Sequence, residues 1–254
     1  MKPALGYKWN APLTQWRQIP AGDAICELES QLIADKLNIC FGHYLIKLGA
    51  LSCELDCSRS LINHQFNFIS SDKSISPTSV LSEYDELPVQ NNSVDLMLLS
   101  HVLEFSVDPH QVLRETHRVL MPNGNLILTL FNPWSMLISH KIWPFTSKSV
   151  FRKARLFSIA RVKDWLQLLG FELMDVKYDC YSTLLTEKTN WQNNNKWNRF
   201  LRWMLPKSGS VCVIIAKKRE WPLTPIRPRL RIRTQFSPAV RSAQVNSTSL
   251  RKQR

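Results

Sequence analysis

Residues 93–105 read SVDLMLLSHVLEF, and residues 113–133 read LRETHRVLMPNGNLILTLFNP. The run from Val94 to Leu99 is apolar at every position except Asp95, and the turn residues Gln90, Asn91 and Asn92 bound it. A strand with one wet face alternates, whereas a nearly continuous apolar run is how a strand covered on both faces of a parallel sheet reads. Asp108-Pro109 then opens a helix, with Asp108 as N-cap, Pro109 in the first turn and Gln111 at the capping-box position. Val107 and Val112 are spaced as a hydrophobic staple. The helix carries Val112, Leu113, Val119 and Leu120 and stops at Pro122 and the Asn123-Gly124 turn, after which Leu126 to Phe131 is a second apolar strand. Strand, helix, strand with two-sided strands is an α/β signature.

Outward from this centre the pattern continues more faintly. On the N-terminal side, Pro20-Ala21-Gly22-Asp23 starts a helix, and Ile25, Leu28, Leu32, Ile33 and Leu37 follow at helical spacing. Tyr44 to Leu48 reads as a strand leaving into a turn at Gly49, residues 52–63 as a short helix, and Phe66 to Ile69 as another strand. The polar stretch from Ser70 to Ser82, with Pro77 inside it, reads as loop. On the C-terminal side, Val162 to Leu169 reads as a helix stopped by Gly170, Phe171 to Tyr178 as an alternating strand, and Val211 to Ala216 as a last buried strand. Trp197, Phe200, Leu201, Met204 and Leu205 share one helical face that Pro206 ends. No repeat of fixed period is visible.

Composition excludes several functions. The chain has only 7 glycines in 254 residues, at 6, 22, 42, 49, 124, 170 and 209, and none lies closer than seven positions to another. Paired-glycine motifs are therefore absent, which removes the dinucleotide loop, the phosphate loop and the nucleophile elbow. No apolar stretch is long enough to span a bilayer, and the start, MKPALGYKWN, lacks the apolar segment of a secretory signal. The expectation is a cytoplasmic protein with no membrane span. The 6 cysteines form no C-x-x-C pair, so they read as buried thiols of a reducing compartment and no metal is expected.

The formal charge of +13 is not spread evenly. Residues 217–254 hold 11 basic residues and one acid, Glu220, with four prolines and no glycine. Such a segment buries no core and is expected to be disordered beyond Pro222. Arg227, Arg229, Arg231 and Arg233 alternate with Pro228, Leu230 and Ile232, which in an extended chain lines the arginines along one edge. The tail is either an arm for nucleic acid or another polyanion, or a solubilising tail without a dedicated partner. A second acid-free basic stretch, residues 139–163 with seven basic residues, follows the strand that ends at Phe131. It reads as a cover for an anionic substrate or as a solvated linker.

Asp85-Glu86-Leu87-Pro88, SVDLMLLSHVLEF and LRETHRVLMPNGNLILTLFNP match, in order and spacing, the pattern of the class I S-adenosylmethionine-dependent methyltransferases. The chain most closely resembles the group called methyltransferase type 11. The resemblance implies an α/β, Rossmann-like sheet of seven mostly parallel strands flanked by helices, its last strand antiparallel, over residues 20–217. It leaves residues 1–19 as a lead-in and 218–254 as the basic tail. It also implies S-adenosylmethionine as cofactor and methyl transfer to an unidentified acceptor.

Residue by residue, the family's first strand and glycine loop fall on Leu45-Ile46-Lys47-Leu48-Gly49-Ala50-Leu51. Asp72 is the nearest acid for the ribose diol, Asp85 with Leu87 lies in the adenine region, and Ser100 and His101 follow the fourth strand, where methyl group and acceptor meet. His101 is then a general base or a structural histidine, and Glu104 a ligand contact or a helix-entry acid. Two departures stand out: Lys47 replaces the first strand's acid, and Leu51 replaces the second loop glycine. Two positive charges about 6 Å apart repel by roughly 3 kcal/mol at an effective dielectric of 20. Either Lys47 turns away from the cofactor's ammonium, or the cofactor binds differently, or the domain has lost it. The last case is a non-catalytic module acting through its basic surfaces.

Overall fold

The computed structural model describes residues 13–19, 22–70, 79–135, 154–181, 203–204 and 208–220. The chain separates into two units, 1–220 and 221–254, and every described residue belongs to the first. The strands are β1 (Tyr44–Leu48), β2 (His64–Ile69), β3 (Ser79–Leu81), β4 (Val94–Ser100), β5 (Leu120–Phe131), β6 (Phe171–Asp179) and β7 (Val211–Lys218). They form one sheet in the order β3-β2-β1-β4-β5-β7-β6, parallel except for β7, which runs antiparallel to both β5 and β6. This is the α/β sheet that the sequence pattern implies.

The helices are α1 (Gly22–Leu37), α2 (Ala50–Glu54), α3 (Val102–Phe105), α4 (Pro109–Val119) and α5 (Ile159–Leu168), with a short 3-10 turn at Trp16–Gln18. Both sheet faces are covered, which is why Leu96–Leu99 of β4 and Val211–Ala216 of β7 are apolar at every position. Leu48, Met97, Leu99 and Leu128 pack with Val112 and Leu113 of α4 and Val162 and Leu166 of α5. On the other face Leu45, Leu96, Leu98 and Ile127 pack with Ile25, Ile33 and Leu37 of α1, and Leu13, Trp16 and Ile19 of the lead-in join them.

Local chemistry accounts for the boundaries. Asp108 caps α4 by accepting the amides of His110 and Gln111 at 2.9 and 3.1 Å. The Gln111 side chain does not close the box but donates to the Asp85 carbonyl at 3.4 Å. Asp95, the half-buried acid of the β4 run, accepts the amides of His43 and Tyr44 and so ties the entry of β1 to β4. Gly42 is needed there because a β-carbon would lie 2.3 Å from the Asp95 carboxyl carbon.

Three elements differ from expectation. A short strand, β3, lies within the stretch read as loop. Its three residues pair with β2 and need no long apolar run. The helix read at 52–63 is only Ala50–Glu54, because the Asp56 carboxylate accepts the Ser58 amide at 2.9 Å and turns the chain. Strand β5 begins at Leu120 rather than 126. Leu120 pairs with Val94, and a register shift before Leu96 absorbs Pro122 and Asn123, the latter at φ 65°. The expected helix over 197–205 lies outside the described residues except for Trp203 and Met204, both exposed. The basic tail and most of the 139–163 stretch also lie outside them. Among the described residues no helix is long and apolar enough to cross a membrane.

Candidate functional site

Open α/β sheets bind ligands outside the carboxyl ends of their strands, and here β1 and β4 end side by side, Leu48 opposite Leu99. Gly49 leaves β1 at φ 92°, and a β-carbon on it would lie 2.6 Å from a Val102 methyl, so no other residue fits. On β4 the chain turns straight from Ser100 into α3 through His101, which adopts the left-handed backbone at φ 53° and ψ 24°. That conformation costs a non-glycine residue about 1 kcal/mol or more and persists only where the surroundings hold it.

The His101 side chain is what holds it. Its Nε2 lies 2.6 Å from Glu29 Oε1 and its Nδ1 3.2 Å from Glu104 Oε1. The second oxygen of Glu29 accepts from Ser100 Oγ at 3.0 Å and Thr129 Oγ1 at 2.9 Å. Glu104 Oε1 also accepts the Phe131 amide at 2.6 Å, while Glu104 Oε2 is buried without a hydrogen-bond partner among the described residues. The imidazole stacks on Phe131 with centroids 3.7 Å apart, and the edge of Trp16 closes the other side at 5.5 Å. His101, Glu29, Glu104, Ser100 and Thr129 are all buried.

Burial alone pushes the His101 pKa down, but the charges of Glu29 and Glu104 outweigh it and raise the pKa to about 9. At neutral pH the ring is therefore an imidazolium that donates from both nitrogens. Two acidic side chains thus flank one histidine beneath the strand ends. This corrects the expectation of a general base. His101 has no lone pair to take a proton and, at 1% exposure, no access to an acceptor.

Between the strand ends lies a narrow cleft lined by Gly49, Leu51, Tyr84, Ser100, His101 and Val102, with Leu13 and Phe105 at its margin. Its volume is about 20 Å³, room for roughly one water molecule. Of the residues singled out in the sequence, Gly49, Leu51, Ser100 and His101 come together here.

The others do not. Lys47 sits on the strand as expected, but its ammonium turns under α2 and donates to the carbonyl of Leu55, the C-cap of that helix, at 3.1 Å. A nearly buried cation needs an acceptor, and a helix carboxyl end supplies one of the right sign. The expectation that Lys47 faces the cofactor's amino-acid end is thereby corrected. Leu51 lines the cleft but is buried in the core, and its carbonyl accepts Trp16 Nε1 at 3.1 Å.

Asp85 is exposed in a separate groove with Glu86, Pro88, Gln111 and Arg118. Leu87 is a core residue whose amide donates to Glu115 Oε1 at 3.0 Å. Arg118 locks that segment by donating to the carbonyls of Leu87 and Val89. Neither Asp85 nor Leu87 lines the cleft. Asp72 lies outside the described residues. Sequence reading missed Glu29, Thr129 and Tyr84. Glu29 left a signal, for Ile25, Glu29, Ile33 and Leu37 recur every four residues, placing an acid inside the buried stripe of α1.

A family model described as a methyltransferase domain matches residues 41–128. Over 224 residues, 88% of both chains, the sequence is 31% identical to the uncharacterized protein YafS of Escherichia coli K12. The chain belongs to the class I S-adenosylmethionine-dependent methyltransferases, type 11. It is also 35% identical over 86 residues to the demethylmenaquinone methyltransferase of Chlamydia pneumoniae, covering 30% of this chain and 37% of that one. An S-adenosylmethionine-dependent methyltransferase of Mesorhizobium loti shares the fold with a TM-score of 0.55 at 15% identity, covering 77% of this chain and 99% of the other. S-adenosylmethionine is the cofactor of the family.

That cofactor carries a sulfonium, an ammonium, a carboxylate and a ribose diol. The acidic side chains of Glu29 and Glu104 suit its two cations. The space does not suit it. The cleft holds about one water molecule, α2 begins directly after Gly49, and Leu51 and Tyr84 fill the approach. In the conformation described, the residues present do not accommodate the cofactor.

Proposed function

We propose that the chain moves the methyl group of S-adenosylmethionine to an acceptor, and that the cleft beyond β1 and β4 is its cofactor site once opened. The observation that carries this reading is the buried Glu29–His101–Glu104 group under the strand ends, two acids about one histidine where a sulfonium cofactor would approach. In this reading residues 20–217 form the methyltransferase domain, with 1–19 as its lead-in. Gly49 and Ser100 frame the cofactor, and His101 is a fixed charge rather than a base. The basic arm 218–254 and the acid-free stretch 139–163 favour an anionic acceptor, nucleic acid included.

Calorimetric titration with S-adenosylmethionine and with its demethylated product tests the reading. Binding of both supports it. Binding of neither overturns it in favour of a second reading, a non-catalytic module acting through its basic surfaces. The withdrawal of Lys47 to Leu55 and the closed cleft favour that second reading.

A further inference from the structure

Backbone amides at the carboxyl ends of β1 and β2 are the donors that a ligand in this crevice would use. In this chain a side chain takes one of them. Tyr84 reaches up from the segment before β4, its ring packed against the core that α4 and α5 cover. The amide of Ser70, at the end of β2, donates to the phenol oxygen at 3.2 Å. Burial raises the pKa of that phenol, against its hydrogen bonding with Ser70. The same oxygen lies 3.9 Å from where a β-carbon of Gly49 would stand. One hydroxyl thus occupies the amide at the end of β2 and stands close to the turn that leaves β1, inside the cleft.

We infer that Tyr84 is an internal plug: its hydroxyl holds the amide of Ser70 in place of a ligand hydroxyl and, standing against Gly49, keeps the cleft shut. The ligand class it excludes is one with a hydroxyl or diol between these strand ends, which is the ribose of the cofactor. The inference rests on the cofactor reading given above. Tyr84 touches the cleft at its tip and the hydrophobic core along its ring, so it leaves the cleft only if the hydroxyl releases the Ser70 amide. Apparent affinity then equals the intrinsic affinity scaled by the open fraction. Each hydrogen bond lost from the closed form is worth about fivefold in that fraction.

The test compares the full-length chain with Tyr84→Phe, which keeps the ring, and Tyr84→Ala, which removes it. Hydrogen exchange at the Ser70 amide, without ligand, reads the plug itself. Calorimetry with S-adenosylhomocysteine reads access. The expected result is faster exchange at that amide in Tyr84→Phe and affinity tightened about fivefold, with Tyr84→Ala at least as tight. Thermal melting checks that each variant is folded, and Tyr84→Phe remains decisive if Tyr84→Ala is not. Exchange unchanged in Tyr84→Phe overturns the plug. Equal affinity in all three forms overturns it too, while leaving the cofactor reading intact. Accelerated exchange with no binding in any form overturns the proposed access role and the cofactor reading together.

Discussion

Replacing Glu29 by glutamine should be the most damaging single-atom exchange in the domain, and its cost should depend on pH. In the native protein the Glu29 carboxylate accepts from His101, Ser100 and Thr129, with no solvent to replace any of them. Breaking a buried charge pair by removing one partner costs about 3–5 kcal/mol. The sign of the pH term follows from His101, whose folded pKa is raised from 6.5 to about 9. A raised histidine contributes stability that is fully present below pH 6.5 and is lost as pH rises through about 9, and a shift of this size is worth about 3 kcal/mol. Once neutral, the ring has one N–H and one lone pair. The lone pair then faces a carboxylate, which repels it, whereas a glutamine amide can donate to it. Urea unfolding of both proteins, measured near pH 6 and again near pH 10, should show a gap of several kcal/mol that narrows by up to about 3 kcal/mol at the higher pH. A gap below about 1 kcal/mol near pH 6, or one that stays constant with pH, would refute the charged network.

Three further outcomes follow from the same geometry. Lys47→Glu should destabilise the fold by about 1–3 kcal/mol, because it loses the donor to Leu55 and aims a carboxylate at that carbonyl. It should not tighten S-adenosylmethionine, and calorimetry showing a tenfold gain would return Lys47 to the cofactor site. Asp108→Ala should cost about 1 kcal/mol in chemical denaturation, since one side chain caps two amides of α4. An unchanged midpoint would mean that solvent satisfies those amides as well. Deleting residues 222–254 should leave the melting temperature nearly unchanged while weakening polyanion binding and flattening its salt dependence, because the tail carries most of the net charge. A large fall in melting temperature would show that the tail packs on the domain.

The sheet was legible because burial on both faces writes itself into consecutive residues. Val94 to Leu99 and Val211 to Ala216 have no polar face to display, so their apolar runs identify central strands without help from their neighbours. Strand β3 was not legible, since three edge residues with partly exposed side chains carry no periodic signal. Strand β5 was read six residues short, because a proline, an asparagine at positive φ and a glycine look like a turn whether or not the strand resumes its register beyond them. The site was harder for a different reason. Its charged members come from α1, α3 and the turn between β4 and α3, with Thr129 from β5, and contacts between Glu29 and His101, 72 positions apart, leave no local spacing to detect. Gly49 and Ser100 could be placed because they end strands. Lys47 could be placed on its strand, but the direction of its ammonium was decided by a carbonyl eight residues away that only the fold brings near.

The two departures at the first strand also have to be weighed together with Glu29. A lysine where the family pattern has an acid would, standing alone, make the strand ends positive. Here the lysine is drawn off to the carboxyl end of α2, and a carboxylate from the preceding helix lies under the same strand ends, locked to them by Ser100 and His101. Acidic groups therefore lie beneath these strand ends although the residue on the strand is a lysine. A fully buried carboxylate would be costly to keep without partners. Glu29 has three, and Glu104 satisfies only one of its two oxygens. A chain under pressure only to fold could replace such a group with apolar residues at little cost or with a gain. Retaining it, with a left-handed His101 at its centre, uses folding energy to keep charge where ligands of this fold approach. That pattern favours a site that still meets a cationic ligand over a scaffold that has stopped meeting one.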